Sequence, residues 1–556
     1  MVSSSELLDS RRLTGPNLLG PSPGAVCDVR IEEARATEFV DAWRERMTTM
    51  LDAIGWGGEE TIVRAFEGGV NLAITAPIDV LYAATEVNEW AVAAAGGDGG
   101  DFEVARARLA GEIERERDPA LLALDAAATE HGVRFLSDDE FVSVGSGRGS
   151  QTWAAGELPD PNDVNWNEIS DVPVALITGT NGKTTTTRLL GAIVKAAGRI
   201  AGMTSTDGVI VGGEMVDAGD WSGPGGARMA LQDRRVEIAL LETARGGLLR
   251  RGIGVKNAEA ALVTNIGDDH LGEFGVADLG GLAETKLVVA RAIGASGRLI
   301  LNADDPELAR RGPRCGVPLG WFGMSAPPSG DPTAFVDDGR IVIVEKGNRI
   351  VELPIADVPL ALGGAARHNV ANAMAAALVA RALDLSAEAI IGGLTSLAPS
   401  VTENPGRLNV FEVGGATAIV DFAHNPQGFE ALLDVARALP AKRRLVVIGQ
   451  AGDRDDGSIR ALGTLAGRLA PDRFVLKEMD HYLRGRAPRE VPGMIADAFV
   501  AAGGSPGAVE YAPNELDAVE RALAWARAGD QLILTVHEKR DQVIARLTEL
   551  ASKGVE

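Results

Sequence analysis

Cysteine is almost missing: Cys27 and Cys315 are the two in 556 residues, and they lie far apart. Two such residues build neither a disulfide framework nor a cysteine-based zinc site, so a reducing compartment is expected. Nor does any stretch approach the ~18 uninterrupted apolar residues of a membrane span. The polar, Pro/Gly-rich opening lacks the basic segment and apolar core of a leader. These absences predict a cytoplasmic protein without a membrane partner. Basic charge is in deficit as well. Lys plus Arg number 54 against 78 Asp plus Glu, a net charge of −24, which disfavours nucleic acid as a partner. An anionic substrate stays compatible, because local basic residues override the global field.

What is present centres on residues 174 to 190. Val174 to Ile177 form a short apolar run of the kind a buried parallel strand shows. Gly179 to Gly182 make a turn, and from Thr184 apolar residues recur at helical spacing (Leu189, Leu190, Ile193, Val194). Strand, glycine turn and Lys-Thr at a helix start make the plan of a phosphate-binding loop. Backbone N–H groups and the helix N-terminus face an anion, Lys183 adds a charge, and a Thr hydroxyl reaches Mg²⁺. The bland alternative is a strand-to-helix turn with an ordinary lysine at its corner. The usual pattern carries a glycine where this chain has Ile177. The shorter form here, Gly179, Thr180, Asn181, Gly182, Lys183, Thr184, Thr185, resembles the loop of the Mur ligase family, ATP-dependent enzymes that join a carboxylate to an amine.

The length predicts roughly three or four domains. We expect an α/β protein: an N-terminal mixed domain over 1–165, a central P-loop ATPase domain with a mostly parallel sheet over 166–403, and a C-terminal Rossmann-like domain over 404–556. In the first unit Ile31–Ile54 and Pro77–Ala95 read as helices, Phe102–Ala128 as one charged helical stretch, and Gly145–Asp163 as a boundary loop. Strands are expected at Val236–Leu241, Ala260–Thr264 and Arg298–Leu301, then at Ala418–Asp421, Arg444–Ile448, Arg473–Leu476 and Gln531–Thr535. Ligands in such sheets collect beyond the carboxyl ends of strands, where Glu242, His270 and the phosphate loop all fall.

Thr184, Glu242 and His270, with Thr185 as a further candidate, supply hard oxygen and imidazole ligands suited to Mg²⁺, which needs few protein ligands. In the Mur family a strand-end Glu and the His of an Asp-His pair hold metal, and these positions match. For Lys286 an exposed helical lysine is the default; the resemblance implies instead a lysine that CO₂ carbamylates. Asn369 and Asn372 share a helix face, where Asn is a poor helix former, and the matching family residues line the adenine pocket. Arg407 suits a phosphate and Asp421 ribose hydroxyls, again in step with the family pattern. Asp453, Asp480, Arg484, Arg486 and Glu538 lie in loops after predicted strands, where Mur ligases select the incoming amine; a solvated charge cluster is the alternative.

The stretches Leu241 to Arg250, Thr204 to Val209 and Asn302 to Asp305 look like the Mur-like half of the cyanophycin synthetases, over about residues 171 to 545. That half joins arginine to aspartate side chains of a polyaspartate chain. No ATP-grasp pattern accompanies it here, so this chain is not expected to build such a polymer by itself. The resemblance implies ATP and Mg²⁺ as cofactors and, as partners, a small-molecule or peptide carboxylate and an amine or amino acid, with homo-oligomerisation open. The other reading is a non-ligating ATP-binding partner or regulator that keeps the fold.

Overall fold

A computed structural model describes residues 5–268, 274–327 and 330–553. The chain opens on an antiparallel sheet in the order Ser5–Leu13, Gly24–Ile31, Gly69–Thr75, Thr61–Phe66. Helices Glu33–Ala53 and Leu81–Ala95 cover it, burying Trp43, Met47, Met50, Leu72 and Val87. The stretch expected as one helix from Phe102 to Ala128 is two, Phe102–Glu116 and Pro119–Glu130. Pro119 lacks the N–H that a helix interior needs but suits a first turn, and Asp118 caps the amides of Ala120 and Leu121. The boundary loop also differs. Gln151–Ala154 is a strand that completes a small antiparallel sheet with Phe135–Ser137 and Phe141–Val144.

The large sheet runs Glu214–Ala218, Gly208–Val211, Ala201–Thr204, Ile238–Glu242, Val174–Thr178, Ala258–Val263, Ile293–Asn302, Leu319–Gly323, Thr333–Asp337, Arg340–Glu345, Asn348–Pro354. Pairings from Ala201–Thr204 to Thr333–Asp337 are parallel, and hairpins at both edges are antiparallel. The Val174–Thr178 strand, buried throughout, lies inside the parallel part. Buried on both faces, it has no reason to alternate apolar with polar, which is why it reads as a continuous apolar run. Behind it, helix Lys183–Ala196 packs on Arg367–Ala382 and Ala387–Ser396. A Cβ on Gly393 would lie 2.4 Å from Ile193 Cα, so the bare glycine lets the two helix backbones touch.

The last sheet runs Asn409–Val413, Ala416–Asp421, Gln531–Thr535, Arg444–Ile448, Arg473–Lys477, Val509–Ala512. It is parallel except for the hairpin formed by its first two strands. Arg444–Ile448 and Gln531–Thr535 occupy the expected ranges, whereas Asn409–Val413 and Val509–Ala512 went unread. Both are edge strands with polar or exposed positions, a weaker pattern than that of a buried central strand. Among the described residues, no helix is long and apolar enough to cross a membrane.

Candidate active site

The turn after Val174–Thr178 depends on two glycines in conformations that side chains rarely adopt, Gly179 at φ +143° and Gly182 at φ +87°. Space is closed to them as well. A Cβ on Gly179 would sit 1.8 Å from Thr264 Oγ1, and one on Gly182 2.4 Å from Asn372 Oδ1. Asn372 therefore rests directly on the loop. Its Nδ2 donates to Asn369 Oδ1 at 3.1 Å, and Asn369 Nδ2 donates to the Leu360 carbonyl at 3.0 Å. Both asparagines are buried, and their shared helix face is turned to the phosphate loop.

The rest of the loop is held by the end of the neighbouring strand. Thr180 N donates to Asn265 O at 2.9 Å, Asn181 N to Asn265 Oδ1 at 2.9 Å, and Thr264 Oγ1 to Asn181 O at 2.6 Å. Asn265 carries no motif of its own; its place just after a buried apolar strand is the signal the sequence offers. Lys183 Nζ donates to Thr180 O at 3.1 Å, folding the ammonium back over the loop.

Thr184 Oγ1 donates to Glu242 Oε2 at 2.9 Å. Glu242 ends the Ile238–Glu242 strand, is buried, and keeps Oε1 without a hydrogen-bond partner among the described residues. Burial pushes its carboxyl above the usual range, against the Lys183 charge, the Thr184 hydroxyl and Arg407. An orphaned carboxylate oxygen next to a hydroxyl on a phosphate loop is a donor set that fits Mg²⁺. His270 lies outside the described residues, and among the described ones no cluster of three His, Cys, Asp or Glu gathers. Thr185 is buried beside Thr184. Lys286, on helix Leu279–Leu287, is also buried, against the exposed position that is the default for lysine.

At the junction with the last sheet, Asn181 and Asn425 exchange amide hydrogen bonds, and Asn181 Nδ2 also donates to Gln427 Oε1 at 2.9 Å. Asp421 accepts from the backbone amides of Leu408 and Ala423, both at 2.8 Å. Its oxygens thus brace the junction turn. Burial raises its pKa, opposed first by Arg407. Arg407 stacks on Phe422, 4.5 Å from the ring centroid, and has no ion-pair partner among the described residues. Phe422 in turn meets His537 edge to face, with centroids 5.3 Å apart.

The amine-side residues divide. Arg486 is fully engaged, donating to the carbonyls of Gly452 and Arg454, to Asp456 and to Glu490 at 2.8–3.0 Å. It ties its loop to a neighbouring loop and to two helix starts rather than facing open space. Arg484, at φ +49°, is exposed, as are Asp453 and Asp480. Glu538 keeps Oε1 buried and without a hydrogen-bond partner among the described residues, and burial together with Glu515 raises its pKa. Its loop hangs on Glu515, which accepts from the amides of His537, Glu538 and Lys539 and pairs with the buried Lys477. The Lys477–Glu515 pairing has no signal in the sequence, because the meeting of the two residues depends on strand order.

Two further features escaped the sequence. Asp207 joins Arg188 to Arg540 across the junction. A cavity of about 880 Å³ opens where the first sheet meets helix Arg245–Arg250, lined among others by Leu8, Arg11, Phe66, Arg250 and Phe274.

Residues 177–380 match the Mur ligase middle domain, and 406–536 the Mur ligase glutamate ligase domain. The chain is 35% identical over 433 residues to the cyanophycin synthetase of Trichormus variabilis, covering 76% of this chain and 46% of that protein. It thus spans about half the length of such relatives. It is 28% identical to the UDP-N-acetylmuramoyl-L-alanyl-D-glutamate–2,6-diaminopimelate ligase of Geobacter metallireducens, over 70% of this chain and 81% of that one. The structure of E. coli FolC in complex with ADP shares the fold, with a TM-score of 0.51 and 22% identity over 68% of this chain and 89% of that one. The chain belongs to the Mur ligase family of ATP-dependent acid–amine ligases.

Proposed function

We propose that this protein joins a substrate carboxylate to an amine at the expense of ATP, through an acyl phosphate, in the manner of the Mur-like half of a cyanophycin synthetase. The observation that carries this reading is the Thr184–Glu242 pair at the mouth of the phosphate loop, with Glu242 Oε1 lacking a hydrogen-bond partner among the described residues. In this reading residues 166–403 hold the nucleotide and 404–556 bring the amine. The loop amides and Lys183 take the phosphates, while Asn369 and Asn372 sit on the adenine side. A Mg²⁺ held by Thr184 and Glu242 would neutralise phosphate charge when bound. The substrate carboxylate takes the γ-phosphoryl group and ADP leaves. The amine then displaces phosphate to form the amide, the oxyanion of the tetrahedral stage facing Lys183 and Arg407. The cavity beside Arg245–Arg250, a helix that follows directly on Glu242, suits entry of the carboxylate substrate.

Catalysis in this reading is positioning and charge stabilisation, carried by cations rather than by a covalent nucleophile. The competing reading, a nucleotide-binding regulator without turnover, is disfavoured by the assembled Lys183, Thr184 and Glu242. ADP release over a panel of peptides and the twenty amino acids tests the proposal. Wild type should sustain ADP release over many turnovers only when both a carboxylate and an amine are present, and Lys183→Ala should abolish it. Unchanged turnover in that variant would sink the mechanism.

A further inference from the structure

Asp207, in the turn after strand Ala201–Thr204, gives its two carboxylate oxygens to two arginines from distant parts of the chain. Arg188 Nη2 meets Oδ2 at 2.7 Å and Arg540 Nη1 meets Oδ1 at 2.5 Å. Arg188 lies on the helix that begins at Lys183, and its Nη1 also donates to Glu403 O at 2.5 Å, in the segment between the two large sheets. Arg540 opens the last helix, directly after the loop that carries His537 and Glu538. The side chains of Arg188 and Asp207 are only 12% and 10% exposed, so water screens this pair far less than a surface salt bridge. Gly406 makes room for the arrangement: a Cβ there would lie 2.7 Å from Arg540 Cδ.

The loop holding Glu538 is therefore tied at both ends. One end hangs on the last sheet through Glu515 and Lys477. The other reaches across the junction, through Arg540 and Asp207, to the helix that leaves the phosphate loop. Two guanidinium groups share one carboxylate, and Arg407 adds a third positive charge close enough to act on Asp207. Removing that carboxylate leaves cations facing one another across the junction, which drives the two sides apart.

Building on the ligase reading above, we infer that the Arg188–Asp207–Arg540 bridge is a positioning device that sets the Glu538 loop at a fixed distance from the phosphate loop. Small displacements between reacting groups are costly in catalysis. The bridge thus acts on transfer to the amine, through the placement of the loop, and leaves nucleotide binding alone.

The experiment uses the full chain with Asp207→Asn, Arg540→Gln, their double variant and Arg540→Lys. Each single neutralising variant should lower kcat for amine-dependent ADP release about tenfold or more, with the Kd for Mg·ADP within about threefold of wild type. The double variant should be no worse than the poorer single, because both break one bridge, and Arg540→Lys should recover part of the loss. Small-angle scattering of the Mg·ADP-bound protein needs no substrate and should show Asp207→Asn more expanded than wild type. Unchanged kcat in Asp207→Asn, effects that multiply in the double variant, or a Kd that worsens in step with kcat would overturn the inference. If wild type shows no ligation, the ligase reading fails while scattering still decides the bridge: identical profiles for wild type and Asp207→Asn refute it.

Discussion

Asn181 Nδ2 donates to Asn425 Oδ1 at 3.2 Å, and Asn425 Nδ2 returns a bond to Asn181 Oδ1 at 3.0 Å. One amide belongs to the phosphate loop. The other caps helix Pro426–Ala438 by accepting from Gly428 N at 2.8 Å. The pair links the Gly179–Gly182 turn to the first helix beside the last sheet.

The two roles of Asn425 separate by substitution. Serine caps helices about as well as asparagine but is too short to reach Asn181. Asn425→Ser should unfold within about 0.5 kcal/mol of wild type, while Asn425→Ala should lose about 1 kcal/mol with its cap. Both should slow amine-dependent ADP release several-fold. Denaturant unfolding beside steady-state kinetics checks this; full activity in Asn425→Ser would show that the amide exchange has no part in turnover.

Lys477 and Glu515 form an ion pair from which solvent is excluded altogether, and Lys477 also donates to Thr535 O at 2.7 Å. Removing one partner leaves an uncompensated buried charge, a loss of about 3–5 kcal/mol. Lys477→Met should be destabilised on that scale in urea, and Lys477→Met/Glu515→Gln should recover part of the loss. A double variant less stable than Lys477→Met would contradict the charge argument.

His368, at the start of helix Arg367–Ala382, is pushed down to about 4 by burial, with the Asp434 carboxylate opposing. Below pH 6.5 the unfolded chain takes up a proton that folded His368 refuses until about pH 4. This side chain's contribution is therefore complete above pH 6.5 and is lost as pH falls from 6.5 towards 4. The stability difference between wild type and His368→Asn should shrink over that window, read from unfolding curves at successive pH values. A difference independent of pH would place His368 in water.

The central strand and its phosphate loop were legible because their signals are local. A strand buried on both faces must be apolar without interruption, and a turn at φ +143° and φ +87° must use glycine at 179 and 182. The helical asparagines betrayed themselves likewise, being poor helix formers kept inside a helix. Edge hairpins did not. Their exposed strands, such as Glu214–Ala218, lack the apolar run that marks a central strand, and only pairing with a neighbour makes them sheet.

Charge partnerships were decided by the tertiary fold alone. Arg486, read as open to a substrate, lies among carbonyls and carboxylates of three other segments, and Asp421 turns both oxygens to backbone amides. Asp207 and Arg540 are 333 positions apart. Sequence by itself determined the chain's local conformations, the glycine turn and the Lys-Thr pair at the helix start, because backbone sterics and side-chain periodicity act over a few residues. Which acid meets which base was settled by strand order and by the meeting of two sheets, because an ion pair depends on distance in space and leaves no spacing rule along the chain.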